Sequence, residues 1–128
     1  IDTTDWSGPD GLPQHPRITY LQGSSTDEAI VAKVMAMAEG RTCMVILDSD
    51  HAAAHVTVEL DAYAPLVSIG SYLIVEDTNV REVRPDYPPG PDDAVKAWLP
   101  QHPEFVVDRD CERLLLSAAP GGYLRRVR

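Results

Sequence analysis

The chain has 128 residues, of which 44% are hydrophobic, and this length and composition suit one domain with a modest core. It carries 20 acidic residues against 11 Lys and Arg, a formal net charge of −9. Such acidity argues against a nucleic-acid binder and against docking on anionic lipid, because both need a basic surface. No apolar run reaches the length of a membrane span, and no signal-peptide pattern is present.

The cysteines and the first residue add two expectations. Cys43 and Cys111 are too few for a disulfide scaffold or a thiolate zinc site, so we expect buried thiols in a cytoplasmic protein. The chain begins at Ile1 rather than at Met, which indicates processing or truncation.

The N-terminal third predicts a loop, a strand and a helix. Residues 3–16 are dense in Gly, Pro and Asp, which is typical of turns, and the β-branched segment 17–21 predicts a strand. Residues 27–39 predict a helix with Thr26 as N-cap and Gly40 as C-cap. Three of its apolar residues share one stripe at helical spacing and should face the core: Ile30, Val34 and Met37.

The middle of the chain alternates apolar blocks with helical patterns. Residues 42–47 and 71–75 are apolar almost throughout, which predicts strands buried on both faces. Residues 52–63 predict a helix between them, with an inner face formed by Val56, Leu60 and Tyr63. The four prolines of 81–91 exclude regular structure there, and 91–98 predicts a short helix with proline in its first turn.

Two short apolar segments, 105–107 and 114–118, predict closing strands that form an antiparallel pair across the polar turn 108–113. Strands alternating with helices predict an α/β fold, with a largely parallel sheet and helices on both faces.

Polar residues follow three of the predicted strands. Residues 48–51 (DSDH) follow the strand 42–47, residues 76–79 (EDTN) follow the strand 71–75, and residues 23–25 (GSS) follow the strand 17–21. Ligands of open α/β sheets bind beyond the carboxyl ends of the strands, so these segments should meet at one edge.

Four carboxylates at two neighbouring strand ends would repel one another unless a cation lay among them: Asp48, Asp50, Glu76 and Asp77. Oxygen ligands suit a hard divalent ion, Mg²⁺ or else Ca²⁺ or Mn²⁺. The alternative is that Asp48 or Asp50 simply caps the helix that follows. Capping requires one acid, however, and leaves Glu76 and Asp77 unexplained.

Histidine chemistry is the next candidate. His51 lies one helical turn after Asp48 and can reach the same site, where it would act as a general base, although a surface histidine is an equal alternative. His55 points the same way more weakly. Ser24 and Ser25 have no nearby base in the sequence, and GxSxG, GxGxxG and P-loop motifs are absent, so no serine nucleophile is predicted.

Four segments together resemble the cephalosporin hydroxylase / rhamnosyl O-methyltransferase family of S-adenosylmethionine-dependent enzymes. They are ITYLQGSSTDEAIVAKV (18–34), the long segment MVILDSDH…GSYLIVEDTNV (44–80), PPGPDDAVKAWL (88–99) and RLLLSAAPGGYLRRV (113–127). The combination LDSDH…GSYLIVEDT…GPDDAV…PGGYLRR is specific. The resemblance implies a Rossmann-like class I methyltransferase sheet.

The resemblance also implies roles for particular residues. The metal set would be Asp48 or Asp50 together with Glu76 and Asp77, and related enzymes favour the first acid after the strand, Asp48. His51 matches the position of a general base. The cofactor-binding residues would be Gly23, Ser24 and Ser25 near the adenine, Asp2 on the ribose, and Asp48.

The chain departs from the family pattern at its start. The glycine-rich cofactor loop of the family follows the first strand, whereas this chain begins at about the second, so residues 1–128 are expected to be the C-terminal part of a methyltransferase-like domain.

Two functions follow as expectations. The first is a metal-dependent O-methyltransferase that uses S-adenosylmethionine and Mg²⁺ on a sugar or another small hydroxylated metabolite. The alternative is a non-catalytic fragment or subunit that acts as a binding domain. An exposed sheet edge would favour a homo-oligomer or another association through that edge.

Overall fold

The computed structural model describes residues 1–4, 11–113 and 117–128. Its helices are α1 (Glu28–Ala38), α2 (Ala53–Tyr63), α3 (Val80–Val83) and α4 (Pro91–Trp98). Its strands are β1 (Val45–Leu47), β2 (Tyr72–Val75), β3 (Phe105–Val107) and β4 (Tyr123–Arg126). Short 3-10 helices span Ala64–Leu66, Leu99–Gln101 and Arg109–Glu112. No helix among the described residues is long and apolar enough to cross a membrane.

The four strands form one mixed sheet in the order β1-β2-β4-β3. β1 and β2 are parallel and are joined through α2, with Ile46 opposite Ile74. β4 is antiparallel to both of its neighbours, with Leu124 opposite Leu73 in β2 and opposite Val107 in β3. The predicted α/β class is therefore confirmed, and two antiparallel strands do close the sheet, although the second of them is not the predicted segment. The prediction of a largely parallel sheet is wrong, since two of the three described strand pairings are antiparallel.

The core lies on one face of this sheet. Leu73 and Leu124 in the sheet and Leu60 in α2 are fully buried, and Val95 and Trp98 of α4 pack in the same cluster. Residues of the opposite face are open, since Ile46 is 55% exposed and Val106 is 44% exposed. The prediction of strands buried on both faces is wrong for β1, because the described helices that pack on the core cover only the other face.

The first predicted strand, 17–21, is not present as a ladder. Only Gln22, just beyond it, forms an isolated parallel bridge, with Asp2. Ile18 and Tyr20 are 44% and 41% exposed. β-branched composition alone therefore did not make residues 17–21 a strand, because no described strand pairs with this segment along its length.

The helices differ from their predictions mainly at the ends. The N-cap of α1 is Asp27 rather than Thr26, and its carboxylate accepts from the backbone N–H of Ala29 and Ile30. The C-cap is Glu39, and Gly40 follows with φ +69°. Met37 of α1 is 44% exposed instead of packed in the core as predicted. Val80–Val83 is helical, although part of it lies in the segment 81–91 that was predicted to be irregular.

The partner of β3 is later in the chain than predicted. Residues 114–116 of the predicted strand 114–118 lie outside the described residues, while Ser117 and Ala118 are not in a strand and β3 pairs with Tyr123–Arg126. Gly122 precedes this strand, and a Cβ there would collide with the carbonyl oxygen of Val75. The absence of a side chain at Gly122 thus permits β4 to approach the end of β2.

The cysteines also differ from expectation. Cys111 is exposed and Cys43 is half-buried, so neither is the buried thiol predicted.

Candidate functional site

A cavity of about 620 Å³ opens where the chain leaves β1 and enters α1. Its size falls within the range of small-molecule sites. Its walls come from three loop segments and from one residue of α2: Ile1, Asp2, Thr3, Gly23, Ser24, Ser25, Asp48, Ser49, Asp50 and His55. All five residues predicted to bind a cofactor (Asp2, Gly23, Ser24, Ser25 and Asp48) line this one cavity, while their role stays a prediction.

The 23–25 loop is held in place by α1 and α2. Gly23 has φ +148°, and a Cβ there would lie 2.9 Å from Cγ1 of Ile30, so a larger residue would disturb both the backbone and the packing of α1. The hydroxyl of Tyr63 donates to the carbonyl oxygen of Ser25 at 2.6 Å. Burial, and secondly the charge of Glu59, raises the pKa of Tyr63, so this hydroxyl remains a donor.

Asp2 belongs to the same wall through its backbone. Its N–H donates to the carbonyl oxygen of Leu21, and its own carbonyl oxygen accepts from the N–H of Gly23. Its carboxylate accepts from the N–H of Thr4 at 2.8 Å. The short bridge with the 21–23 segment thus places this acid at the cavity.

A cluster of three ionisable side chains adjoins the cavity at the ends of β1 and β2. One potential ligand atom from each of Asp48, His51 and Asp77 lies within 4.8 Å of the others. The Nε2 atom of His51 is 3.5 Å from Oδ1 of Asp48 and 3.4 Å from Oδ2 of Asp77. Since Asp48 also lines the cavity, the two features share a residue.

The other two predicted metal ligands stand apart from this trio. Burial raises the pKa of Glu76, and the negative charges of Asp48 and Asp77 raise it further. Glu76 therefore lies close enough to the cluster to interact with its charges, although it is not one of the three clustered side chains. Asp50 instead accepts from the N–H of Ala52 at 2.8 Å, just before α2. The Asp50 carboxylate therefore makes a turn contact of the kind that the capping alternative anticipates, although Ala52 itself is the N-cap.

Asp77 has an unusual backbone, with φ +52°. This left-handed conformation costs most residues energy and is tolerated best by Gly, Asn and Asp. The next two residues anchor it, since Thr78 Oγ1 donates to the carbonyl oxygen of Pro120 at 2.9 Å and Asn79 donates to that of Ser117 at 3.3 Å. Contacts with the backbone of residues 117 and 120 thus help to hold Asp77 beside Asp48.

A hydrogen-bonded group behind the cavity wall was not predicted from the sequence. Glu59 is only 2% exposed and accepts from the Ser49 hydroxyl at 2.7 Å. His55 Nε2 lies 3.1 Å from Ser25 Oγ, so Ser25 does have a base nearby, contributed by a residue 30 positions away. The available signal was an acid on the inner face of the helix, since Glu59 shares that face with Val56 and Tyr63.

The chain is similar to proteins of known family. The family Rhamnosyl O-methyltransferase/CmcI matches residues 3–127. The chain belongs to this family. The resemblance found in the LDSDH, VEDT and PGGYLRR segments is thereby confirmed.

Individual family members give the extent of the likeness. The Rhamnosyl O-methyltransferase of Mycobacterium tuberculosis is 34% identical over 119 residues, which are 88% of this chain and 49% of that protein. The Mycobacterium leprae protein of the same name is 32% identical over 124 residues, 91% of this chain and 54% of its own length. The chain thus spans about half the length of these relatives. No solved structure matches it significantly.

Within the Rhamnosyl O-methyltransferase/CmcI family, the motifs that carry the resemblance occupy definite places in this fold. The LDSDH segment leads from β1 to the cavity and the acidic cluster, and the VEDT segment leads from β2 to Asp77. The PGG segment contacts the end of β2 at Val75 and accepts a hydrogen bond from Thr78 just after it. The matching segments therefore converge on one region of the molecule.

Proposed function

We propose that this chain is part of an S-adenosylmethionine-dependent O-methyltransferase with a Rossmann-like sheet, which acts on a hydroxyl group of a sugar. The main support is that Asp48 belongs both to the cavity of about 620 Å³ and to the Asp48–His51–Asp77 cluster. Family membership supports methyl transfer, and the name of the relatives, Rhamnosyl O-methyltransferase, supports a sugar acceptor.

The cavity suits S-adenosylmethionine by its chemistry. Ser24 and Ser25 offer hydroxyl donors and acceptors, and Asp2 offers a carboxylate that can accept from the two hydroxyls of a ribose. The sulfonium of the cofactor carries a positive charge, which the negative wall formed by Asp48 and Asp50 would favour. When bound, the cofactor supplies a methyl group whose departing sulfur retains the bonding electron pair.

The acidic cluster suits a divalent cation such as Mg²⁺. Two ligand atoms on one cation lie no farther apart than about twice the metal–oxygen bond, which is about 4.2 Å for Mg²⁺ and about 4.6–5.2 Å for Ca²⁺. Carboxylate oxygens of Asp48 and Asp77 lie within 4.8 Å of each other, so they suit Ca²⁺ as they stand and need to approach by no more than about 0.6 Å to suit Mg²⁺. Glu76 adds negative charge close by. A cation bound here would lower the pKa of an acceptor hydroxyl.

The chain's own residues then have separate tasks. Asp48 and Asp77 would hold the cation, and Asp48 would also keep it next to the cofactor cavity. His51 lies between these carboxylates and would accept the proton that leaves the acceptor hydroxyl. Holding both substrates in line accounts for much of the acceleration expected in such a site.

Titration calorimetry with S-adenosylmethionine, with and without Mg²⁺, tests this proposal on the chain and on a full-length family member. We expect binding of both the cofactor and Mg²⁺. Asp48→Asn should weaken both binding reactions, whereas Asp86→Asn should change neither. Asp86 is the matched control because it is an exposed acid outside the cluster and the cavity. Absence of binding to both proteins would overturn the proposal.

A non-catalytic binding domain is the second candidate. It is favoured by the open sheet face around Ile46 and Val106. β1 is also an edge strand that pairs only with β2 among the described residues, so a second chain could pair with it. Cofactor binding by the full-length relative but not by this chain would favour this candidate.

A further inference from the structure

We propose that His55 and Glu59 set the direction of the Ser25 hydroxyl, so that Ser25 donates its hydrogen to an acceptor atom of the cavity's ligand. The inference rests on the proposed function, in which that ligand is S-adenosylmethionine, and the ring nitrogens of its adenine are then the candidate acceptors. His55 and Glu59 are positioning residues, and Ser25 makes the contact.

Three side chains of α2 anchor two of the three loop segments in the cavity wall, 23–25 and 48–50. Tyr63 binds the backbone of Ser25, His55 binds the Ser25 side chain, and Glu59 binds the Ser49 hydroxyl. His55, Glu59 and Tyr63 follow one another at a spacing of four residues, which places them on one face of the helix. One rigid element therefore controls two loops that are far apart in sequence.

A glutamate buried at position 59 lowers the stability of the fold. It is 2% exposed, and its Oε2 atom has no hydrogen-bond partner among the described residues. A buried carboxylate costs stability unless it is paired and fully hydrogen-bonded, and an apolar residue of similar size is often at least as stable. Packing alone therefore does not explain an acid here, which points to a role in arranging its neighbours.

The position of Glu59 favours His55 as the donor to Ser25. The same ring nitrogen of His55, Nε2, lies 3.1 Å from Ser25 Oγ and 3.7 Å from Glu59 Oε1. An ionised carboxylate can only accept hydrogen bonds, so the charge of Glu59 favours a hydrogen on Nε2. Ser25 Oγ then accepts from His55, and its own hydrogen is left to donate elsewhere. Because Ser25 lines the cavity, a bound ligand is the natural recipient.

The test compares ligands and variants in a cycle of binding measurements. The probes are S-adenosylhomocysteine and its 1-, 3- and 7-deaza analogues, each of which lacks one acceptor nitrogen of the adenine ring. We expect one analogue to bind the wild type about tenfold more weakly than the parent compound, the size of one hydrogen bond. In Ser25→Ala, the parent and that analogue should bind equally well.

The positioning role has its own variants. His55→Gln keeps an N–H donor near the place of Nε2 and should retain most of the affinity, whereas His55→Leu should lose about as much as Ser25→Ala. Glu59→Gln should shift the ¹⁵N NMR signals of His55 away from the Nε2–H form and weaken binding severalfold. Glu39→Gln is the matched control, since Glu39 is an exposed acid at the end of α1 and should change neither measurement.

The outcomes separate the two proposals. Failure of the wild type to bind S-adenosylhomocysteine would overturn the proposed function, and this inference with it. Normal binding by the wild type together with unchanged discrimination in Ser25→Ala, or with an Nδ1–H form of His55, would overturn this inference alone. Loss of thermal stability in His55→Leu without any change in affinity would reduce His55 to a structural contact and would also refute it.

Discussion

The substitution Asp77→Asn should stabilise the protein without metal and abolish its response to Mg²⁺. Asp77 and Asp48 place carboxylate oxygens within 4.8 Å of each other, so two negative charges repel in the folded state. Asparagine tolerates the φ of +52° at this position nearly as well as aspartate does, so the backbone should be unaffected. The variant therefore changes charge and little else.

The size of the effect follows from the distance and the exposure. Two unit charges 4.8 Å apart repel by about 0.9 kcal/mol in water and by about 3.5 kcal/mol at an effective dielectric constant of about 20. The side chains of Asp48 and Asp77 are 63% and 42% exposed, so solvent screening favours the lower value. We expect a gain of about 1 kcal/mol in the free energy of unfolding, which corresponds to roughly 4 °C in Tm.

Thermal unfolding at pH 8, where histidine side chains are ordinarily neutral, provides the assay. Mg²⁺ at about a hundred times its Kd should stabilise the wild type by about 2.7 kcal/mol and leave Asp77→Asn unchanged. Asp86→Asn makes the same change in net charge away from the cluster and should behave like the wild type. A lower Tm of metal-free Asp77→Asn, or a full Mg²⁺ response in it, would refute the reasoning.

Three further predictions concern the core, an acid-dependent hydrogen bond and the sheet edge. Leu60→Ala should lower the free energy of unfolding by about 2–5 kcal/mol in urea titrations, because the side chain is fully buried at the centre of the core; a loss below about 1 kcal/mol would contradict that placement. Tyr72 donates to Asp108 at 2.7 Å, which raises the pKa of Tyr72 to about 12 and lowers that of Asp108. This stability is present above the ordinary pKa of aspartate and is lost as pH falls through the lowered value, so Tyr72→Phe should be less stable at pH 7 and approach the wild type in acid. If chains associate through the edge and open face at β1, Ile46→Lys should shift the sedimentation coefficient to that of the monomer at the concentrations where the wild type self-associates, and an unchanged oligomer would exclude that surface.

Local patterns were sufficient for much of the fold. The apolar blocks around β1 and β2 and the helix between them were predictable, since a continuous apolar run and a 3.6-residue stripe reflect burial within the segment itself. Pro91–Trp98 is helical over the predicted residues because proline and two acids favour a first turn. The order of polar segments after strands also predicted that residues 23–25 and 48–50 would share a site, and both line the cavity.

Other features depended on partners that a local pattern does not contain. Residues 17–21 have strand-like composition yet pair with no described strand along their length, and the described partner of β3 is Tyr123–Arg126. A strand needs a neighbour for its hydrogen bonds, and the chain's own composition does not name that neighbour.

The amino-acid sequence by itself determined the α/β class, the family and the acids that meet beyond the sheet, because these depend on the order and spacing of residue types. Only the tertiary structure decided which of those acids come together: Asp48 and Asp77 lie with His51, while Asp50 turns to the N–H of Ala52 before α2. The tertiary structure alone also showed that His55 lies between Ser25 and the buried Glu59. Hydrogen bonds between side chains distant in sequence depend on how helix and sheet pack, and packing is a property of the whole chain.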